Sequence, residues 1–324
     1  MPRRHSPMNK KAGFLCALCF FLHAMAGAAE FRVGQIFSAS QSPTWVAREA
    51  GYFEKNGLTL QVIVFKSGPV ATQSMIARDI DLLTAGGVEV INANLQGAEV
   101  LFVAQNVGTF PYTLYVGKQI LDGKALKGKK LAISGFGGPS EFLTRHAVER
   151  LGLDPQKDVT LVQVGTQRFA ALASGAVDGS MIQPPDTLKA RELGFKPVFD
   201  LAESGVKFPF NPISTRKEFL AANRDVVVRF LKGYIAGLAR FHRDRAFSMQ
   251  VMGKYLGIKD EAVLSETYNF WSRIFPKKPY TEKEALVTYL KMSKKEGVNA
   301  ESFFDNSLIA ELDRQGYIDA LYAN

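Results

Sequence analysis

From residue 31 onward the chain alternates short apolar segments, rich in Val, Ile and Phe, with amphipathic segments, and the joins are small-residue turns. The apolar segments have the length of strands, and the amphipathic ones have helical spacing. Such alternation is typical of mostly parallel sheets that carry helices on both faces, so it predicts an α/β fold. The strands are predicted at residues 31–37, 58–65, 80–84 and 100–104, and in a second block at 130–134, 159–164 and 177–182.

The last third of the chain has a different pattern. Residues 224–241 place apolar side chains at helical spacing along a single face, which predicts one long amphipathic helix. More helical segments follow, with a proline-rich break at residues 275–279. We expect these helices to pack onto one part of the α/β structure.

The first 28 residues read as a secretory signal peptide. A basic start is followed by an apolar stretch at residues 12–25 and by the small-residue run Ala26-Gly27-Ala28-Ala29. The apolar stretch is shorter than the roughly 20 residues that a membrane-spanning helix needs. We expect cleavage after Ala28 and a periplasmic protein, and the alternative is an uncleaved N-terminal anchor.

Removal of this segment would leave a chain without cysteine, because Cys16 and Cys19 both lie in it. Disulfides, thiolate nucleophiles and cysteine metal sites are then excluded, and we expect neither a metal nor a cofactor. The segment holds four of the 40 Lys and Arg and none of the 31 Asp and Glu, so the remainder has a net charge of +5. That modest charge gives no reason to expect nucleic acid as a partner. We expect a soluble monomer.

Catalytic motifs are missing from the sequence. It contains no G-x-S-x-G, H-E-x-x-H or Walker A pattern. The two histidines beyond the signal segment, His146 and His242, stand beside arginines, and a histidine without a carboxylate partner is a poor general base. We therefore expect a protein that is not an enzyme.

The turns that follow the predicted strands are the candidate ligand site. In open α/β sheets, ligands bind beyond the carboxyl ends of the strands, where glycines allow close approach and helix starts offer N–H donors. Aromatic side chains near these turns would form apolar walls, and Arg168 would supply a cation. The predicted ligand-binding residues are Ser38, Ser40, Trp45, Ser67, Gly68, Gly86, Gly87, Ser134, Phe136, Gly138, Ser140, Arg168 and Gln183.

Four sequence motifs of the chain resemble those of a known family. They are AREAGYFEKNGL at residues 47–58, ARDIDLLTAGG at 77–87, LKGKKLAISG at 126–135 and ALASGAVDG at 171–179. With them the chain resembles the periplasmic binding proteins for nitrate, sulfonates, taurine and thiamine-pyrimidine precursors. The second motif departs from the family, which usually has a glycine where this chain has Ala77-Arg78. We therefore expect the turn at these residues to differ.

The resemblance implies a type II periplasmic-binding-protein fold with two lobes. Lobe 1 would comprise residues 29–114 and 210–324, and lobe 2 residues 115–209, with crossovers near 112–115 and 208–214. It also implies a binding component of an ABC importer that delivers a small anionic or aromatic solute to a membrane permease.

Two other functions fit the same fold. One is an enzyme similar to thiamine-pyrimidine synthases or to menaquinone-pathway enzymes, but those act inside cells, and the synthases carry a cysteine-rich motif. The other is a ligand-sensing module of a membrane receptor, which the sequence leaves open.

Overall fold

The computed structural model describes residues 1–2, 30–202, 205–295 and 297–323, so the predicted signal segment falls almost entirely outside the described residues. The described chain forms two five-stranded sheets surrounded by helices. The strands are β1 (Glu30–Ile36), β2 (Thr59–Phe65), β3 (Leu82–Leu83), β4 (Val100–Thr109), β5 (Thr113–Val116), β6 (Lys129–Ile133), β7 (Val159–Gln163), β8 (Gly179–Ile182), β9 (Lys196–Asp200) and β10 (Lys207–Arg216).

Helices separate and cover these strands, in the alternation that the sequence predicts. They are α1 (Ser42–Glu49), α2 (Tyr52–Lys55), α3 (Gly68–Ile76), α4 (Gly87–Leu95), α5 (Pro139–Arg150), α6 (Arg168–Ala173), α7 (Asp186–Glu192), α8 (Lys217–Ala222), α9 (Arg224–Arg243), α10 (Arg245–Leu256), α11 (Glu261–Ile274), α12 (Lys283–Met292), α13 (Ser307–Arg314) and α14 (Tyr317–Tyr322).

The two sheets share one plan. The first has the order β2-β1-β3-β10-β4, with β1 parallel to β2 and β3, and β10 antiparallel to both β3 and β4. The second has the order β7-β6-β8-β5-β9, with β6 parallel to β7 and β8, and β5 antiparallel to both β8 and β9. In each sheet, therefore, all strands but one point the same way, which confirms the predicted α/β class with mostly parallel strands.

The reversed strand of each sheet follows a connection between the sheets. The chain leaves β4 at Thr109 and enters the second sheet at Thr113, and it returns between Asp200 and Lys207. The carboxyl ends of the parallel strands of both sheets border one cavity.

The predicted long helix is α9, and its apolar face is buried against α1 and α2 of the first sheet's layer. Two glycines permit that contact. A Cβ at Gly237 would overlap the carbonyl oxygen of Pro43, and one at Gly233 would lie 2.6 Å from the Phe53 ring. Because a side chain at either position would separate the helices, these glycines set how closely they pack. Within the described ranges no helix is both long and apolar enough to cross a bilayer.

Candidate functional site

A cavity of about 270 Å³ lies between the carboxyl ends of the two sheets. In the first sheet the turns after β1, β2 and β3 reach it, and in the second sheet the turns after β6, β7 and β8 do. Apolar side chains from several elements complete the wall, among them Phe169, Met181 and Phe210. An apolar wall with a few convergent polar groups is the usual make-up of a small-molecule site.

Eight of the residues predicted to bind ligand line this cavity, although they come from distant parts of the sequence. They are Ser38, Ser67, Gly68, Gly86, Ser134, Ser140, Arg168 and Gln183. Their convergence follows from the fold, because parallel strands bring the turns after their carboxyl ends to one edge.

Two predicted aromatic contacts lie elsewhere. Trp45 is 3% exposed and stacks on Tyr255 with ring centroids 4.9 Å apart, so it belongs to the core between α1 and α10. Phe136 does not line the cavity, and half of its surface faces solvent. Phe37 does line the cavity, and it takes the place of these rings in the wall.

Three further predicted residues stand behind the cavity wall. Ser40 is buried and donates a 3.0 Å hydrogen bond to Ser38 Oγ, so it supports a lining residue. A Cβ at Gly87 would overlap the carbonyl oxygen of Pro209, which gives this glycine a packing role against β10. A Cβ at Gly138 would lie 3.0 Å from an oxygen of Glu89, so this glycine makes room for that carboxyl group.

Hydrogen bonds hold Ser38 firmly in the first sheet's layer. Its backbone is extended, and its Oγ accepts bonds from the backbone N–H and the hydroxyl of Ser40. The amide of Asn211 on β10 donates to Ser40 Oγ over 2.7 Å, and the amide of Asn106 on β4 donates to the Ser40 carbonyl over 2.7 Å. Side chains of β10 and of the edge strand β4 thus fix the turn that presents Ser38 to the cavity.

The second sheet contributes one guanidinium to the cavity. Arg168 Nε donates to the Met181 carbonyl over 3.2 Å, and Nη2 donates to the Tyr112 hydroxyl over 3.2 Å. Its guanidinium carbon also lies 5.3 Å from the centre of the Tyr112 ring. Burial raises the pKa of Tyr112, and the adjacent Arg168 cation opposes that rise. These contacts with the protein itself orient Arg168.

The chain also places an acidic group in the wall that the sequence analysis missed. Glu89, in the first turn of α4, lines the cavity and is only 5% exposed. Neither of its carboxyl oxygens has a hydrogen-bond partner in the part of the chain that the structure describes. Burial raises the pKa of Glu89 to about 8, and its own backbone N–H opposes the rise only in part.

Other charged groups stand at the cavity's border. Lys66 and Lys189 are exposed, and Asp186 at the start of α7 is partly buried. Burial raises the pKa of Asp186, while the cations of Lys189 and Arg168 lower it. The described residues hold no group of three His, Cys, Asp or Glu side chains that could ligate a metal. The arrangement is suited to binding a small polar molecule.

Comparisons with known proteins show what the chain resembles in sequence and fold. The profile of the family described as NMT1/THI5 like matches residues 38–244. A protein of Bacillus subtilis (strain 168), whose name describes an aliphatic sulfonates-binding protein, is 29% identical over 253 residues, which cover 71% of this chain and 70% of that protein.

Solved structures share the fold. The alkanesulfonate-binding protein SsuA from Xanthomonas axonopodis pv. citri, bound to MOPS, gives a TM-score of 0.70 at 19% identity and covers 87% of this chain and 97% of its own. The periplasmic nitrate-binding protein NrtA from Synechocystis PCC 6803 gives 0.74 at 14% identity, with 91% of both chains covered. These likenesses confirm the two-lobed periplasmic-binding-protein fold. Since the family profile spans more than half of the sequence, the chain belongs to the NMT1/THI5-like family.

Proposed function

We propose that this chain is the periplasmic substrate-binding component of an ABC importer, exported by its N-terminal segment, and that it closes two lobes around a small anionic or aromatic solute. The observation that supports this proposal most directly is the cavity between the two sheets. Turns from both sheets line it. A solute held there touches both lobes at once, and its binding favours the closed arrangement over an open one. The permease would then recognise the closed form.

The proposed lobes are residues 29–114 with 210–324, and 115–209. In the part of the chain that the structure describes, two connections join the sheets, one between Thr109 and Thr113 and one between Asp200 and Lys207. Two short connections between packed bodies are the arrangement in which hinge closure occurs, and periplasmic binding proteins are a standard example of it. The names of the B. subtilis relative and of SsuA support sulfonates as the first solutes to test.

Binding and closure can be measured separately. Thermal-shift measurements with alkanesulfonates, taurine, nitrate and pyrimidines would identify solutes that bind the folded protein, because such solutes raise its melting temperature. Small-angle scattering with a saturating amount of the best solute should then show a smaller radius of gyration. A protein that none of these solutes stabilises, or that binds one without compaction, would contradict the proposal.

A sensory module remains the second candidate, because it would bind and close in the same way. Co-purification with detergent-solubilised membranes separates the two functions. A transporter component is expected to bind a permease in its liganded form, whereas capture of a receptor kinase would favour sensing. Turnover of a bound solute into a product would instead favour the enzyme alternative.

A further inference from the structure

Glu89 is a buried acidic group of the cavity wall, and the proposed function does not use its chemistry. A carboxyl group that is removed from water is stable only when it is neutral or when a partner compensates its charge. Glu89 has no such partner in the described ranges, and yet it lines a cavity that is large enough for a small molecule. A ligand is therefore the candidate for the missing partner.

Glycines from three helix starts surround this carboxyl group. A Cβ at Gly68 would overlap Glu89 Oε1, one at Gly138 would lie 3.0 Å from the same atom, and one at Gly86 would lie 3.7 Å from Oε2. The starts of α3, α4 and α5 thus leave space into which Glu89 projects. That space opens on the cavity, because Gly68, Gly86 and Glu89 all line it.

Some of the backbone donors in the turns around Glu89 are already engaged or absent. The backbone N–H of Ser134 already donates to Ser140 Oγ over 2.8 Å, and that of Gly137 donates to the Glu141 carboxylate over 2.6 Å. Proline in the first turns of α3 and α5 removes a donor from each helix start.

Unpartnered acceptor oxygens border the cavity here. Besides both oxygens of Glu89, the buried side-chain amide oxygen of Gln183 has no partner within the described residues. The Thr72 hydroxyl beside Gly86 is unpartnered as well, and it can donate or accept. A solute that brings donors would complement the carboxyl and amide oxygens.

The charged and titratable groups facing Glu89 do not neutralise it. Tyr112 and Tyr289 face Glu89: burial is the main cause of the raised pKa of each, and the charge of Glu89 adds to the rise. Arg168 is bonded to the Tyr112 hydroxyl, and Arg145 on α5 is paired with Glu141 at 2.8 Å. The raised pKa of Glu89, about 8, has burial as its cause and includes no contribution from a nearby cation.

We propose that the solute carries a protonated amine or amidine, and that this group binds the Glu89 carboxylate at the meeting point of α3, α4 and α5. The inference rests on the proposed function and narrows it. A solute with a basic nitrogen toward Glu89 and an acceptor or anionic group toward Arg168 fits the cavity, whereas nitrate or a plain alkanesulfonate leaves Glu89 without a partner. When such a cation binds near neutral pH, the carboxylic acid releases its proton to solvent and becomes the ion pair.

Matched pairs of probes test this directly. 3-Aminopropanesulfonate carries an ammonium group that 1-propanesulfonate lacks, and benzamidine has a basic imine nitrogen where benzamide has a carbonyl oxygen. Isothermal titration at pH 7, on protein expressed from the full-length chain, should show the basic member of at least one pair binding 10-fold or more tightly than the partner that lacks the basic nitrogen. Titration in buffers of different ionisation enthalpy should show release of close to one proton.

Two variants assign the preference to this residue. Glu89→Gln removes the charge with little change of shape and should erase the preference for the basic probe. Glu54→Gln removes a carboxylate from the exposed surface of α2 and should leave the preference intact. The proton-release measurement uses unmodified protein, so it tests the inference even if Glu89→Gln fails to fold.

Four outcomes would overturn the inference. If the probes without the basic nitrogen bind as tightly as the basic ones, or if Glu89→Gln keeps the preference, the inference is wrong and the proposed function stands. If binding releases no proton and survives Glu89→Gln, Glu89 is instead a neutral acid that donates to an anion, as glutamine also would. If no probe and no solute of the thermal-shift panel binds, the proposed function fails as well.

Discussion

The side-chain amide of Gln183 donates a 2.8 Å hydrogen bond to the hydroxyl of Ser38, and the two residues are 145 positions apart in the sequence. Gln183 follows β8 of the second sheet, and Ser38 follows β1 of the first. Both line the cavity, so this bond joins its two walls directly. The described structure therefore represents an arrangement in which the walls already touch.

We predict that Gln183→Ala loosens the ligand-free protein. A neutral hydrogen bond contributes about 1 kcal/mol, so its loss should shift the equilibrium constant between the closed and open forms of the ligand-free protein about fivefold toward the open form. Small-angle scattering should show a larger radius of gyration for the empty variant and a normal one at saturating ligand. Gln163→Ala, at an exposed position outside the cavity, is the control and should not change either value. An unchanged radius for empty Gln183→Ala would show that other contacts hold the walls together.

A second contact between the proposed lobes, an ion pair, should contribute little to stability. Arg191 on α7 binds both carboxylate oxygens of Glu266 on α11, at 2.6 and 2.7 Å, and Thr187 donates to the same carboxylate over 3.1 Å. The charged side chains are 45% and 33% exposed, and ion pairs so accessible to water contribute at most about 1 kcal/mol. Glu266→Gln should therefore lower the unfolding free energy by less than about 1 kcal/mol.

The effect of Glu266→Gln on ligand affinity, measured by titration, should also be small. The affinity should change less than twofold, because the ion pair lies outside the cavity. A large loss of affinity would mean that this pair, and not the contacts inside the cavity, controls closure.

The buried Glu89 predicts a specific dependence of stability on pH. In the folded protein its pKa is raised to about 8 from 4.5, so between these values the folded chain keeps a proton that the unfolded chain has lost. The unfolding free energy must then fall as pH rises through this window, by up to about 1.4 kcal/mol per unit from this group. In Glu89→Gln the contribution is absent.

Denaturant unfolding at pH 5 and pH 8 measures the effect. Relative to the parent protein, Glu89→Gln should gain stability between these two values, whereas Glu54→Gln should not. His146 and His242, whose pKa values burial lowers, titrate in both proteins and cancel in the comparison. Parallel pH profiles for the parent and Glu89→Gln would mean that water or a cation reaches the carboxylate.

The sequence predicted the strands that contain clear apolar runs and missed those that connect the sheets. Strand β10 contains Pro209 and Pro212, and a segment with two prolines does not read as a central strand. It can be central here because its pairing with β4 is irregular, with register shifts around Asn211 and Pro212. Strands β5 and β9 are only four and five residues long, and their pairing depends on contacts far away in the sequence.

The part of the candidate site that lies in the turns after parallel strands was predictable from the sequence. Turns rich in serine and glycine after parallel strands converge by topology, which is why Ser38, Ser67 and Gln183 meet. Glu89 was missed because the segment GVEVINANL reads as an ordinary helix in which a glutamate would face water. Residue 89 points inward because α4 packs between α3, α5 and β10. The local sequence around residue 89 does not indicate that packing.

Filling the cavity from the second sheet should block binding without harming the fold. Ala170 on α6 lines the cavity and is exposed, so a larger side chain there meets the empty space and not the core. Ala170→Trp should reduce the affinity for any solute of the cavity at least 100-fold, and the melting temperature of the empty protein should stay within a few degrees, as is usual for surface substitutions. Ala173→Trp makes the same change in the same helix at an exposed position outside the cavity, and it should bind normally. Equal affinity in the two variants would place the ligand somewhere other than between the sheets.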